Sequence, residues 1–316
     1  MKLPKVAVIL SSYNGEKYIK EQIDSILAQK NIELDLYIRD DGSTDSTVKI
    51  VNEYIKKHNN IFLYAEPNVG VTHSFFKLIE LLENKMYDYY SLADQDDFWL
   101  DYKLYNAINL IDNEIPTLVC DSYYITNEDL VILDSKILKK DYTFSELLIQ
   151  GVFPGCTMLF NYKLYSLILD SLKDEHSWLT GIHDNWIVKI AKSFGALKTN
   201  PIPSIYYRQH SNNAIGNSFS FKRKITNSLK NTITSRKKHS FLDEIYLFKI
   251  VFSSKLSADI NSLFEQFINI DSNVISRIKF ILNNSSKKDT VKKTLFFRVR
   301  VLLGFYKLHI EKFNRK

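Results

Sequence analysis

The stretch KVAVILSSYNGEKYIKEQIDSILAQ, residues 5–29, changes its period halfway. KVAVIL is a near-continuous apolar run of strand length, SSYNG is turn chemistry, and the remainder is amphipathic at helical spacing. The same unit recurs three times: LDLYIRD then STVKIVNEYIKKH, IFLYAE then VTHSFFKLIELLE, and YYSLAD then WLDYKLYNAINLID. Apolar strands joined by helical crossovers imply a mostly parallel α/β sheet with helices on both faces, and ligands of such sheets bind beyond the carboxyl ends of the strands. A polar cluster follows each of the four strands: SSYNG, DDGSTDST, EPNVG and DQDD. All four are expected on one rim.

Beyond Leu100 the pattern loosens. A strand or hairpin is expected at TLVCDSYYITNEDL, a helix near TFSELLIQ, and a strand-plus-helix unit at GCTMLFN and KLYSLILDSL, followed by HDNWIVKIAKSFG and YYRQHSNN. From about residue 217 the chain is helix-patterned and basic. It carries 21 Lys/Arg against 7 Asp/Glu there and 21 against 29 before it, so the overall +6 joins two unlike regions. A basic region of this kind suits an anionic membrane leaflet or nucleic acid, with a solvated helical surface used for packing or dimerisation as the plainer reading.

The 316 residues, 45% hydrophobic and 13% aromatic, can bury a substantial core. Cys120 and Cys156 have no paired or zinc-ligand spacing, so both read as core thiols in a reducing compartment. The first apolar run is too short for a signal peptide, and the longest later one, TLFFRVRVLLGFY, is broken by Arg298 and Arg300, so no membrane span is expected.

Four groups could carry chemistry. Asp40 and Asp41 close the second strand before Gly42; one acid would suffice to cap a helix, and the second suits the N–H or hydroxyl groups of a ligand. Asp94, Gln95, Asp96 and Asp97 offer the hard oxygens that Mg2+ or Mn2+ requires, the alternative being a solvated acidic turn. His183, Asp184 and Trp186 open a helix, where Asp184 is either an N-cap or a general base. Arg208 and His210 follow a further strand, Arg suiting a phosphate and His a phosphate or a metal.

Taken together, VAVILSSYNGEKYIKEQIDSILAQ, IRDDGSTDST, EPNVG, ADQDDFW, GCTMLFN, HDNW and YRQHSNN resemble glycosyltransferase family 2, in order and spacing, across residues 4 to about 216. ADQDDFW, GCTM and YRQH look most like bacterial rhamnosyltransferases and capsule or cell-wall polysaccharide transferases. The resemblance implies a GT-A fold for residues 1–216, a basic helical region at 217–316, and an inverting, metal-dependent transfer from a nucleotide-sugar. It implies that Ser11, Tyr13, Asp40 and Asp41 hold the base and ribose, that Asp94 and Asp96 are the outer acids of a DXD motif, that Arg208 serves the donor and His210 the metal, and that Asp184 is the catalytic base. A dTDP- or UDP-sugar donor, plausibly dTDP-rhamnose, and an undecaprenyl-diphosphate-linked saccharide acceptor would follow. The enzyme would then be cytoplasmic and peripheral at the inner face of the membrane, with the basic segments around Lys222, Arg223, Lys224 and Arg236, Lys237, Lys238 facing the lipid.

Processive members of the family carry QxxRW and membrane spans; YRQH and the absence of an expected span favour single-sugar addition. A nucleotidyltransferase would need a glycine-rich or basic phosphate loop after the first strand, and SSYNGEKY has one glycine and no arginine. A nucleic-acid binder acting through the basic region would leave the DQDD and HDNW sets without a purpose.

Overall fold

The computed structural model describes residues 2–210, 241–283 and 290–313. The basic segments around Lys222 and Arg236, and the expected boundary near 217, lie outside the described residues. The chain forms two compact units: Met1–Asp141, Phe153–Leu172 and Ile182–Gly216 make the first, and Tyr142–Val152, Lys173–Gly181 and Asn217–Lys316 the second.

The first unit is built from the repeated strand–helix units read in the sequence. Strands β1 (Lys5–Ser12), β2 (Glu33–Asp40), β3 (Ile61–Ala65) and β4 (Tyr89–Ala93) pair in parallel in the spatial order β4-β1-β2-β3. Leu10 lies opposite Ala93, Ser12 opposite Asp40, and Asp40 opposite Ala65, so the four strands finish along one edge. Crossover helices α1 (Ile19–Leu27), α2 (Thr47–Ile55) and α3 (Val71–Leu81) join them. Alternate residues on the strands explain the two-sided cover. Val6, Val8, Leu10, Leu36 and Ile38 meet Ile19, Ile23 and Ile26 of α1, while α3 packs on β1 and β2 with its own buried face of Phe75, Phe76 and Ile79.

After β5 (Phe98–Trp99) and helix α4 (Lys103–Ile108), the expected strand or hairpin at 117–130 is a pair of strands, β6 (Thr117–Asp121) and β7 (Tyr123–Thr126). They belong to different sheets. The large sheet is completed by β6, β9 (Met158–Asn161) and β10 (Ala196–Asn200), with β9 antiparallel between β4 and β6; β5, β7, β8 (Ile132–Lys136) and β11 (Ile205–Arg208) form a four-stranded sheet. Helices α6 (Tyr162–Leu172) and α7 (His183–Phe194) complete the unit, and α7 delivers Asp184 in its first turn.

The second unit is helical. Helix α5 (Phe144–Ile149) starts with a capping box in which Thr143 and Glu146 satisfy each other's backbone N–H groups. It is followed by α8 (Phe241–Val251), α9 (Ala258–Ile268), α10 (Val274–Leu282) and α11 (Val291–Leu302). Its core is aromatic: Phe248 and Phe264, and Phe267 and Phe280, meet edge to face at 5.8 and 4.8 Å.

Candidate active site

The rim at the carboxyl ends of β1, β2 and β4 is knitted together by short polar side chains. Asn14, with φ +47°, lets the β1–α1 loop turn back on the β2–α2 loop: its N–H donates to Ser43 Oγ, and its own Oδ1 accepts from the Thr44 N–H, both at 2.8 Å. Gln95 clasps the same loop from the other side, accepting from the Tyr13 N–H at 2.8 Å and donating to the Tyr13 carbonyl at 3.0 Å. Gln95 is therefore turned to backbone rather than offered as a cation ligand. Ser11 Oγ lies 2.6 Å from Ser74 Oγ, and the Tyr13 ring is half exposed on the rim.

Asp40 and Asp41 are buried, and each accepts three hydrogen bonds. Asp40 accepts from the Ser12 hydroxyl at 3.0 Å and from the Ser43 N–H and hydroxyl at 2.8 and 2.5 Å. Asp41 pairs with Arg39 and accepts from the N–H groups of Val69 and Gly70, both at 2.9 Å, which pins the loop after β3. These acids shape the rim.

The acids after β4 are arranged differently. Asp96 Oδ2 lies 2.7 Å from His210 Nε2, whose ring packs on Tyr18 at 5.0 Å. Asp97 Oδ1 accepts from the Arg208 N–H at 3.2 Å, but its Oδ2 is buried without a hydrogen-bond partner among the described residues. Ligand atoms of Asp94, Asp97 and Cys156 lie within 4.8 Å of one another. Burial, followed by the charges of Asp96 and Asp184, pushes Asp94 up to about 7. Burial, then Asp96 and Asp94, holds the Asp97 carboxyl well above the usual carboxylate range, and burial likewise raises the Cys156 thiol. Carboxylates forced together in this way need a proton or a cation among them.

Asp184 reaches the same cluster from α7. Its Oδ1 is 2.6 Å from His183 Nε2, outside hydrogen-bond alignment; that oxygen and both His183 ring nitrogens are buried without hydrogen-bond partners among the described residues. His183 stacks on Phe75 at 4.2 Å. Gly155, at the start of the GCT turn, makes room for the pair, because a Cβ there would sit 2.6 Å from Asp184 Oδ1 and 2.9 Å from His183 Nε2.

Arg208 lies on the second sheet and is 2% exposed. Its guanidinium donates to the carbonyls of Asp96 (2.8 Å) and Glu128 and to the Glu21 carboxylate (2.5 Å), with Tyr18 stacked 4.4 Å away. It ties the acidic loop to α1 and to the loop after β7.

The structure thus gathers Asp94, Asp96, Asp97, Asp184 and His210, while Asp40, Asp41 and Arg208 stand on the same rim in hydrogen bonds to the neighbouring loops. The carboxylate oxygens of Asp94 and the unpartnered Oδ2 of Asp97 suit Mn2+ or Mg2+, the Cys156 thiol among them being a softer donor, and the Asp96–His210 pair stands on the same loop side. Sequence reasoning missed the roles of Gly155, Cys156, Tyr18 and Glu21, since nothing in the spacing of FPGCTM or EKYIKE points to acids elsewhere in the chain. His183 was visible beside Asp184, but its burial was not.

A mostly parallel α/β sheet with acids from several strand ends gathered around one rim is the arrangement expected of a GT-A fold. Residues 7–168 match the family model described as "Glycosyl transferase family 2". The chain belongs to that family and is a glycosyltransferase. It is 30% identical over 226 residues to the dTDP-rhamnosyl transferase RfbG of Shigella flexneri, covering 68% of this chain and 76% of the relative. It is 25% identical over 200 residues to the putative teichuronic acid biosynthesis glycosyltransferase TuaG of Bacillus subtilis, covering 62% and 76%. Among solved structures, TarS 1–349 of S. aureus superposes with a TM-score of 0.55 at 16% identity, over 94% of this chain and 81% of that 1–349 chain, confirming the fold. Enzymes of this family move a sugar from a nucleotide-sugar donor. No helix among the described residues is long and apolar enough to cross a membrane.

Proposed function

We propose that the protein is an inverting, metal-dependent rhamnosyltransferase. It adds one sugar from dTDP-rhamnose to a saccharide acceptor carried on undecaprenyl diphosphate, in cell-surface polysaccharide synthesis at the inner face of the membrane. The observation that carries this reading is the meeting of Asp94 and Asp96 with Asp184, whose buried Oδ1 has no hydrogen-bond partner among the described residues. The name of RfbG supports the donor, that of TuaG the polymer, and the basic balance of residues 217–316 the membrane.

Asp184 takes the proton of the acceptor hydroxyl as that oxygen attacks the anomeric carbon, and a single displacement inverts the configuration. His183 lies against the base from the protein side. Asp96 and His210, with Asp94 beside them, would hold Mn2+ or Mg2+, which would supply positive charge against the diphosphate of the leaving dTDP. Ser11 and Tyr13 meet the base and ribose, on a floor that Asp40 and Asp41 keep in shape. Arg208 keeps the acidic loop in place beneath the diphosphate. Catalysis resides in residues 1–216, and residues 217–316 serve docking.

Isothermal titration with dTDP and with UDP, each with and without Mn2+, tests the donor site. Cation-dependent dTDP binding is expected; binding indifferent to Mn2+ overturns the metal assignment, and no nucleotide binding overturns the reading.

A further inference from the structure

Helices α10 and α11 pack on one another at the end of the second unit and bury little: Phe280 on α10, Phe297 and Val301 on α11. Apart from the half-buried Ile281, their other apolar residues face outward. On α10, Val274, Ile275, Ile278 and Leu282 are exposed, Leu282 at 76%. On α11, Val291, Leu295, Phe296, Val299 and Leu302 are exposed, Val291 at 87% and Leu295 at 63%. An open hollow of about 460 Å³ runs between Lys292, Leu295, Phe296 and Val299.

The order of residues shows that this is a built face. At about 100° per residue, the five exposed apolar residues of α11 fall within an arc of about 140°, opposite the buried Phe297 and Val301. Lys292 lies inside the arc, between Val299 and Phe296, where its long stem can lie along the apolar surface with the ammonium reaching outward. Arg298 borders the arc on one side, and Lys293 and Arg300 on the other. On α10 the exposed four span about 100°, with Lys279 at the margin. Neither helix contains an Asp or Glu. An apolar stripe lined by basic residues is the pattern of a helix lying in a membrane interface, its side chains at the acyl boundary and its cations among headgroup phosphates. A two-fold contact with a second copy would set these basic margins against themselves. Single-stranded nucleic acid is held by aromatic stacking platforms, whereas this arc is aliphatic apart from Phe296.

We infer that the α10–α11 face docks on an anionic phospholipid leaflet, with Leu295 and Phe296 inserted between headgroups and the exposed Lys279 and Lys292 in contact with lipid phosphate. This deepens the membrane part of the function proposed above and locates it on helices other than the basic segments to which the sequence points.

The test is flotation of the full-length protein with phosphatidylcholine vesicles, with and without phosphatidylglycerol. Binding only to the phosphatidylglycerol vesicles, weakened by salt, is expected. Replacing Leu295→Gln and Phe296→Gln together lowers vesicle affinity about tenfold or more, and Lys279→Gln and Lys292→Gln lower it about fivefold each. All four positions are solvent-facing, and unchanged thermal unfolding confirms that the variants fold. The inference is overturned if the wild type ignores both vesicle types, if the Leu295 and Phe296 variant floats as well as the wild type, or if that variant instead turns a dimer into a monomer in light scattering. Vesicle binding without any dTDP binding would sink the donor reading and leave this one standing.

Discussion

Two acidic runs that look alike in the sequence, Asp40-Asp41 after β2 and Asp94 to Asp97 after β4, are treated in opposite ways by the fold. In the first pair every oxygen has a partner: hydroxyls of Ser12 and Ser43, three backbone N–H groups and Arg39 reach its carboxylates. The second run is left in deficit, with Asp97 Oδ2 orphaned, Asp94 and Asp97 pushed up by burial and by their neighbours, and Asp184 brought in as a further acid. Folding free energy favours the first arrangement. A chain that retains the second needs something to enter it, because an unsatisfied buried carboxylate costs stability.

The largest expected effect breaks the comparison from the side of the first pair. Asp41→Asn leaves Arg39 as a buried cation without its partner and should cost about 3–5 kcal/mol in urea unfolding. Asp97→Asn keeps the acceptor for the Arg208 N–H and relieves repulsion, so it should leave stability unchanged or raise it by about 1 kcal/mol, while weakening Mn2+-dependent dTDP binding. Equal destabilisation by the two substitutions would erase the distinction. Next in size, Gly155→Ala pushes a methyl group against Asp184 and His183; about 1–3 kcal/mol of stability and about a hundredfold in turnover should be lost, because the base is displaced. A wild-type rate would show that the pair tolerates movement.

The smallest effect is in pH. Asp94 stands at about 7 in the cation-free protein, above its unfolded value, so its protonated form favours the fold at low pH and that contribution is lost as pH rises through about 7. A cation must displace that proton, so Mn2+ affinity should gain about tenfold per pH unit below about 7 and flatten above it. Calorimetry in buffers of different ionisation enthalpy reads the proton release directly. Affinity independent of pH would place the cation away from Asp94.

Much of the first unit was legible because strand and crossover alternate with a clean change of period, as in KVAVIL and the helix that follows it. β10 escaped because ALKTN is an edge strand, half-buried and without an apolar run, and β8 because ILDSK is largely exposed. The pairing of β6 and β7 into different sheets turns on Ser122, which donates to the Asn200 carbonyl and accepts from the Leu138 N–H, contacts that no local pattern announces. The acids of the site were readable by type and by their place after strands. Which of them were spoken for was not, since the partners of Asp41 arrive from residues 39, 69 and 70 and those of Arg208 from residues 21, 96 and 128.

The most direct measurement is donor turnover by Asp184→Asn beside its dTDP affinity in Mn2+. The substitution keeps the shape of the side chain and removes its ability to take a proton. If Asp184 is the base, dTDP affinity stays within about twofold of wild type while transfer falls by about a hundredfold or more. Transfer near the wild-type rate would mean that the orphaned oxygen beside His183 is not the base and that the deficit of the second acidic run serves another purpose.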